Sequence, residues 1–82
     1  MKYIDQENPR FTYYIRETLN GFAIQVLNVA RDERYPLTPA IAYKNGLTLP
    51  EDFRCNCNGN EKAELETQLE RLAKLNDLLP IE

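Results

Sequence analysis

Residues 10–30, RFTYYIRETLNGFAIQVLNVA, constrain the fold of this chain more than any other stretch, because two alternating apolar segments meet there at Asn20-Gly21. Asn-Gly between such segments is the strongest short-range hairpin signal, since a type I′ turn requires positive φ at both central residues. With Asn20 and Gly21 as the turn, the ladder pairs Leu19 with Phe22, Glu17 with Ile24, Ile15 with Val26, Tyr13 with Asn28 and Phe11 with Ala30. Strand side chains alternate with period two, so these residues share one, mostly apolar face. The opposite face carries the pairs Thr18–Ala23, Arg16–Gln25, Tyr14–Leu27 and Thr12–Val29, a mixed set. One core face and one mixed face describe a half-buried antiparallel pair.

A second Asn-Gly, in AIAYKNGLTLP, predicts a shorter hairpin pairing Lys44–Leu47, Tyr43–Thr48 and Ala42–Leu49, with Pro50 ending the ladder. Between the hairpins, RDERYPLTP reads as a loop or a short edge strand. PEDFR, with proline leading two acids, suits a single helical turn.

The last segment, EKAELETQLERLAKLNDLLP, has the period of a helix. At 100° per residue, Leu65, Leu69, Leu72, Ala73, Leu75, Asn76 and Leu79 form a stripe roughly 160° wide, and Pro80 ends the run. Asn58 stands three residues before Glu61 in capping-box spacing, with Asn60 as an equivalent cap. Leu65, Leu69, Leu72, Asn76 and Leu79 also fit a d-a-d-a-d heptad pattern. The stripe is wider than a coiled-coil seam, which favours packing on the chain's own sheet.

The fold expected is therefore α+β: a small antiparallel sheet of three to four strands, built from two Asn-Gly hairpins, with one C-terminal helix on one face. The chain of 82 residues makes one domain. Its parts are a hairpin at 10–30, a charged and proline-bearing loop at 31–39, a second hairpin at 40–50, a loop at 51–60 and a helix at 61–79.

Cys55 and Cys57 are the chain's chemical candidates, and they lack partners in sequence. A zinc site needs about four Cys, His or carboxylate ligands, whereas this chain holds two cysteines and no histidine. A disulfide within Cys-x-Cys needs a tight local turn to bring the Cβ atoms close enough. A reactive thiolate would lack the histidine that usually serves as its base. Cys55 and Cys57 are thus weak metal candidates, and a polar loop is the simpler reading. The chain has no serine nucleophile and neither a GxGxxG nor a GxxxxGK[ST] phosphate cradle. The expectation is a protein that is not an enzyme, with no catalytic residues and no cofactor.

Charge narrows the partners. Residues 1–60 hold seven Lys/Arg and seven Asp/Glu, and the net charge of −3 arises entirely in residues 61–82. Phosphate-backbone binding relies on clustered cations, so nucleic acid is a disfavoured partner. The first ten residues hold no apolar signal-peptide core, and no apolar run reaches the roughly 20 residues needed to span a bilayer. With few cysteines, a cytoplasmic location and no membrane partner are expected.

What remains is function by contact. The expectation is a small protein–protein interaction module, acting as an inhibitor or regulator of a larger prokaryotic complex and encoded by a phage or mobile element. Tyr14, Arg16, Gln25 and Leu27 on the mixed sheet face form the candidate interaction surface, and Glu66, Glu70 and Asp77 on the acidic helix form a second. The alternatives are a nucleic-acid-binding module using Tyr14 and Arg16, or a self-assembling component with the sheet face as a homodimer interface.

Overall fold

The computed structural model describes residues 2–19, 21–51, 53 and 61–81. Its centre is the antiparallel pair β2 (Phe11–Thr18) and β3 (Gly21–Asn28). To this pair are added β4 (Glu33–Pro36) beside β3, β1 (Lys2–Ile4) beside β2 and β5 (Leu79–Pro80) beside β1. The order is β4-β3-β2-β1-β5, with every pairing antiparallel. Among the described residues two helices, α1 (Pro39–Lys44) and α2 (Lys62–Asn76), join the sheet. The α+β class and the C-terminal helix on a small antiparallel sheet are as expected, with five strands rather than three to four.

The first hairpin forms, but two residues out of the predicted register. Phe11 pairs with Asn28, Tyr13 with Val26, Ile15 with Ile24 and Thr18 with Gly21. Leu19, rather than Gly21, lies in the connection and is 102% exposed. Gly21 opens β3 at φ +144°, a conformation that favours glycine. The far end of the ladder explains the shift. The predicted register needs Val29 and Ala30 as strand, but residues 29–32 reverse the chain into β4. Asn28 Oδ1 accepts the Arg31 N–H at 3.3 Å there, and Asp32 sits at φ +51°. A slip of two preserves side-chain parity, so the predicted inner face survives: Tyr13, Ile24 and Val26 are fully buried on it.

The second hairpin does not form, because residues 39–44 are helix α1. Thr38 Oγ1 accepts the Ile41 N–H at 3.2 Å as an N-cap, and Pro39 occupies the first turn, where it sacrifices no hydrogen bond. Asn45 is the C-cap and Gly46 follows at φ +76°. A glycine after a helix uses the same positive φ as a hairpin turn, so the dipeptide signals both. Of the predicted loop at 31–39, residues 33–36 are the edge strand β4. In PEDFR the Phe53 N–H donates to the Pro50 carbonyl at 3.1 Å, while Asp52 and Arg54 of the expected helical turn lie outside the described residues.

Helix α2 stops at Asn76 rather than 79. Asp77 takes a left-handed conformation at φ +53°, and the Leu78 N–H bonds back to the Ala73 carbonyl at 2.9 Å. The freed Leu79 and Pro80 add to the sheet edge beside β1, a position that tolerates proline. Glu61 occupies the N-cap position without a side-chain cap bond, while Asn58 and Asn60 lie outside the described residues. The buried stripe of α2 is Leu65, Gln68, Leu69, Leu72 and Ala73; Leu75, assigned to it from sequence, is 51% exposed.

Leu65, Leu69, Leu72 and Ala73 pack on Tyr13, Ile24 and Val26 of the sheet, joined by Leu37, Ala42 of α1, Leu47 and Leu78. Full burial of each large aliphatic or aromatic side chain contributes about 1.5–3 kcal/mol. Inside this core the Asn45 Nδ2 donates to Tyr13 Oη at 3.3 Å. Burial pushes the Tyr13 hydroxyl up to about 12; the Asn45 bond opposes this, and Asp5 and Tyr35 add to it.

Candidate functional site: the open face of the sheet

Both helices contribute to a core that lies on one side of the sheet, so among the described residues no helix covers the other side. The register sets which side chains meet there. One row across the sheet runs Arg34, Leu27, Thr12, Ile4 and Leu79; the next runs Pro36, Gln25, Tyr14 and Lys2. Arg16 lies beyond Tyr14 on β2, opposite Ala23. Thr12 and Ala23 are buried because they are short and their cross-strand neighbours are long. Ile4, Tyr14, Gln25 and Leu27 are half-buried, and Leu79 is exposed at the edge.

The polar atoms of this face form a small network. Gln25 Oε1 accepts the Tyr14 hydroxyl at 3.3 Å and Arg16 Nη1 at 3.5 Å, which holds the phenol and the guanidinium side by side. Lys2 Nζ stands 6.0 Å from the Tyr14 ring centroid, at the limit of a cation–π contact. Lys2 and Arg34 in these rows and Arg16 beyond them are the charged strand residues named on this face, all cations. Arg34 meets Asp32 at 3.4 Å, an exposed pair worth little. Among the described residues no carboxylate lies within salt-bridge distance of Lys2 or Arg16.

The four sheet residues chosen from sequence, Tyr14, Arg16, Gln25 and Leu27, are thus brought together on one open face. Their pairing differs: Tyr14 faces Gln25 and Arg16 faces Ala23, where Arg16–Gln25 and Tyr14–Leu27 were predicted. Lys2, Ile4, Arg34 and Leu79 belong to the same face and were not among the surface candidates; Leu79 was assigned to the helix stripe and lies instead in β5. They lie in strands of two to four residues, too short for alternation to be read.

The acidic candidates are less coherent. Glu70 is exposed, Glu66 is half-buried, and Asp77 lies beyond the helix at its C-cap. Glu70 and Asp77 line an open cleft of about 520 Å³ together with Lys74, which breaks the negative field between them. The Asp77 carbonyl accepts a bond from Gln6 Nε2, tying that end of α2 to the loop after β1. A second, apolar cleft of about 590 Å³ lies between residues 48–51 and Arg71, Lys74 and Leu75. Cys55 and Cys57 lie outside the described residues. Among the described residues, no group of three or more His, Cys, Asp or Glu is placed to hold a metal, and no helix is long and apolar enough to cross a membrane.

Comparison with protein-family models, with curated proteins and with solved structures finds no match to this chain.

Proposed function

We propose that the chain is a non-enzymatic protein–protein interaction module that docks a larger protein or complex through the open face of its sheet. In this reading it works in the cytoplasm as an inhibitor or regulator, of the kind that phages and mobile elements encode. One observation carries the reading: the sheet has its core on one side, while Ile4, Tyr14, Leu27 and Leu79 stand among cations on the other. Apolar side chains mixed with Tyr and Arg are the composition of protein interfaces, where Tyr and Arg carry a disproportionate share of binding energy.

A second reading, single-stranded nucleic acid stacked on Tyr14 with Arg16 on phosphate, draws on the same cations. The test is a pull-down from a nuclease-treated bacterial lysate with the wild-type chain, a Tyr14→Ala/Arg16→Ala variant and a Glu70→Ala control, each checked for folding by circular dichroism. The expected result is one stoichiometric protein held by wild type and control and lost by the double variant. Retention of that protein by a folded double variant overturns the proposal.

A further inference from the structure

We infer that the occupant of the open sheet face is an acidic, amphipathic polypeptide segment, whose apolar side chains seat over Leu27, Ile4 and Leu79 and whose Asp and Glu residues meet Lys2, Arg16 and Arg34. The inference rests on the reading above and adds the chemistry of the partner. Leu27, Ile4 and Leu79 lie in one row across the sheet, interrupted only by the short Thr12. Adjacent strands are about 4.8 Å apart, so the row from β3 to β5 spans roughly 14 Å. That length matches two to three turns of helix or four to five extended residues.

Charge then selects among occupants. The ionised strand side chains of this face, Lys2, Arg16 and Arg34, are of one sign, with Asp32 beside Arg34 at the rim, so an acidic partner gains most at Lys2 and Arg16. A second copy docked face to face about a two-fold axis would bring two faces of the same positive sign together, and like charges across an interface oppose association. Nucleic acid fits less well on steric grounds. Sequence-tolerant single-strand binding uses successive aromatic platforms, whereas Tyr14 is the one aromatic in these rows. Its ring has Lys2 beside it and its hydroxyl is bonded to Gln25.

The test is a display selection of random linear peptides on the full chain. Selected peptides are then titrated against wild type and against Lys2→Glu, Arg16→Glu and Leu79→Asp, three exposed positions. Oligothymidylate is titrated in parallel. The expected peptides combine apolar residues with an excess of Asp and Glu, bind each variant at least about tenfold more weakly, and weaken as salt rises. Neutral or basic peptides that still lose affinity for Leu79→Asp overturn the acidic partner while leaving the face as the docking surface. Peptides that bind all three variants like wild type overturn both the inference and the reading beneath it. Oligothymidylate binding that is lost in Lys2→Glu and Arg16→Glu, or a selection yielding no binder dependent on this face, overturns the inference.

Discussion

The side-chain amide of Asn76 pairs with both backbone groups of Thr48: the Thr48 N–H donates to Asn76 Oδ1 at 2.8 Å, and Asn76 Nδ2 donates to the Thr48 carbonyl at 2.8 Å. The same Nδ2 donates to the Leu72 carbonyl at 2.9 Å. One amide thereby ties the segment after α1 to the last turn of α2, as a neighbouring strand would. A heptad reading would place this asparagine in an interhelical seam, but its partners lie within the same chain. Asn76→Ala removes three neutral hydrogen bonds whose backbone partners at Thr48 can turn to water, so we expect a loss of about 1–2 kcal/mol in urea unfolding. Asn76→Asp keeps the acceptor and aims negative charge at two carbonyls, and is expected to cost more than Ala. An aspartate variant as stable as wild type would show that the pairing contributes nothing.

Tyr13 predicts a dependence on alkaline pH. Its hydroxyl titrates near 10 when exposed and at about 12 in the folded chain. The folded state therefore binds this proton more tightly than the unfolded state. The contribution is complete below pH 10 and is lost as pH rises from 10 to 12, a fall of about 2–3 kcal/mol. Tyr13→Phe should flatten that part of the stability profile, although the unpartnered Asn45 amide lowers stability at every pH. A profile unchanged by the substitution would assign the alkaline loss to other groups.

Gly46 tests the conformation that ends α1. A Cβ at this position would meet nothing within 4 Å, so space is not the constraint. The constraint is φ at +76°, where an L side chain strains against its own carbonyl. Gly46→Ala should destabilise by about 1–2 kcal/mol, and Gly46→Asn by less, because asparagine tolerates this region. Equal stability of all three chains in urea would contradict a left-handed residue here.

Helix α2 offers a matched pair of leucines. Leu69 is completely buried against the sheet, and Leu75 is 51% exposed at the mouth of the apolar cleft. Leu69→Ala should cost about 2–5 kcal/mol, while Leu75→Ala should stay within about 0.5 kcal/mol. Similar losses at the two positions would mean that α2 buries a different face.

The parity of the first hairpin and the existence of α2 follow from the sequence alone. Alternation with period two assigns Tyr13, Ile24 and Val26 to the core, and leucines at 65, 69 and 72 demand a buried helical face. Both patterns are long enough to repeat. Parity cannot distinguish a register from one slipped by two, and here the reversal into β4 at residues 29–32 made that choice. The helical start and stop around α1 are written in Thr38, Pro39 and Asn45-Gly46, yet the same Asn-Gly serves a hairpin equally well. Burial of Ala42 and Leu47 in the shared core accompanies the helical choice. Leu75 lies at the margin of the α2 stripe, where the shape of the opposing sheet decides burial, and Gln68 is covered in its place. β1 and β5 are three and two residues long, below any readable period, and exist because each finds an edge to pair with. The candidate surface divides the same way. Tyr14, Arg16, Gln25 and Leu27 share a face by local alternation, whereas Lys2, Ile4, Arg34 and Leu79 join them through pairings that only the folded chain makes.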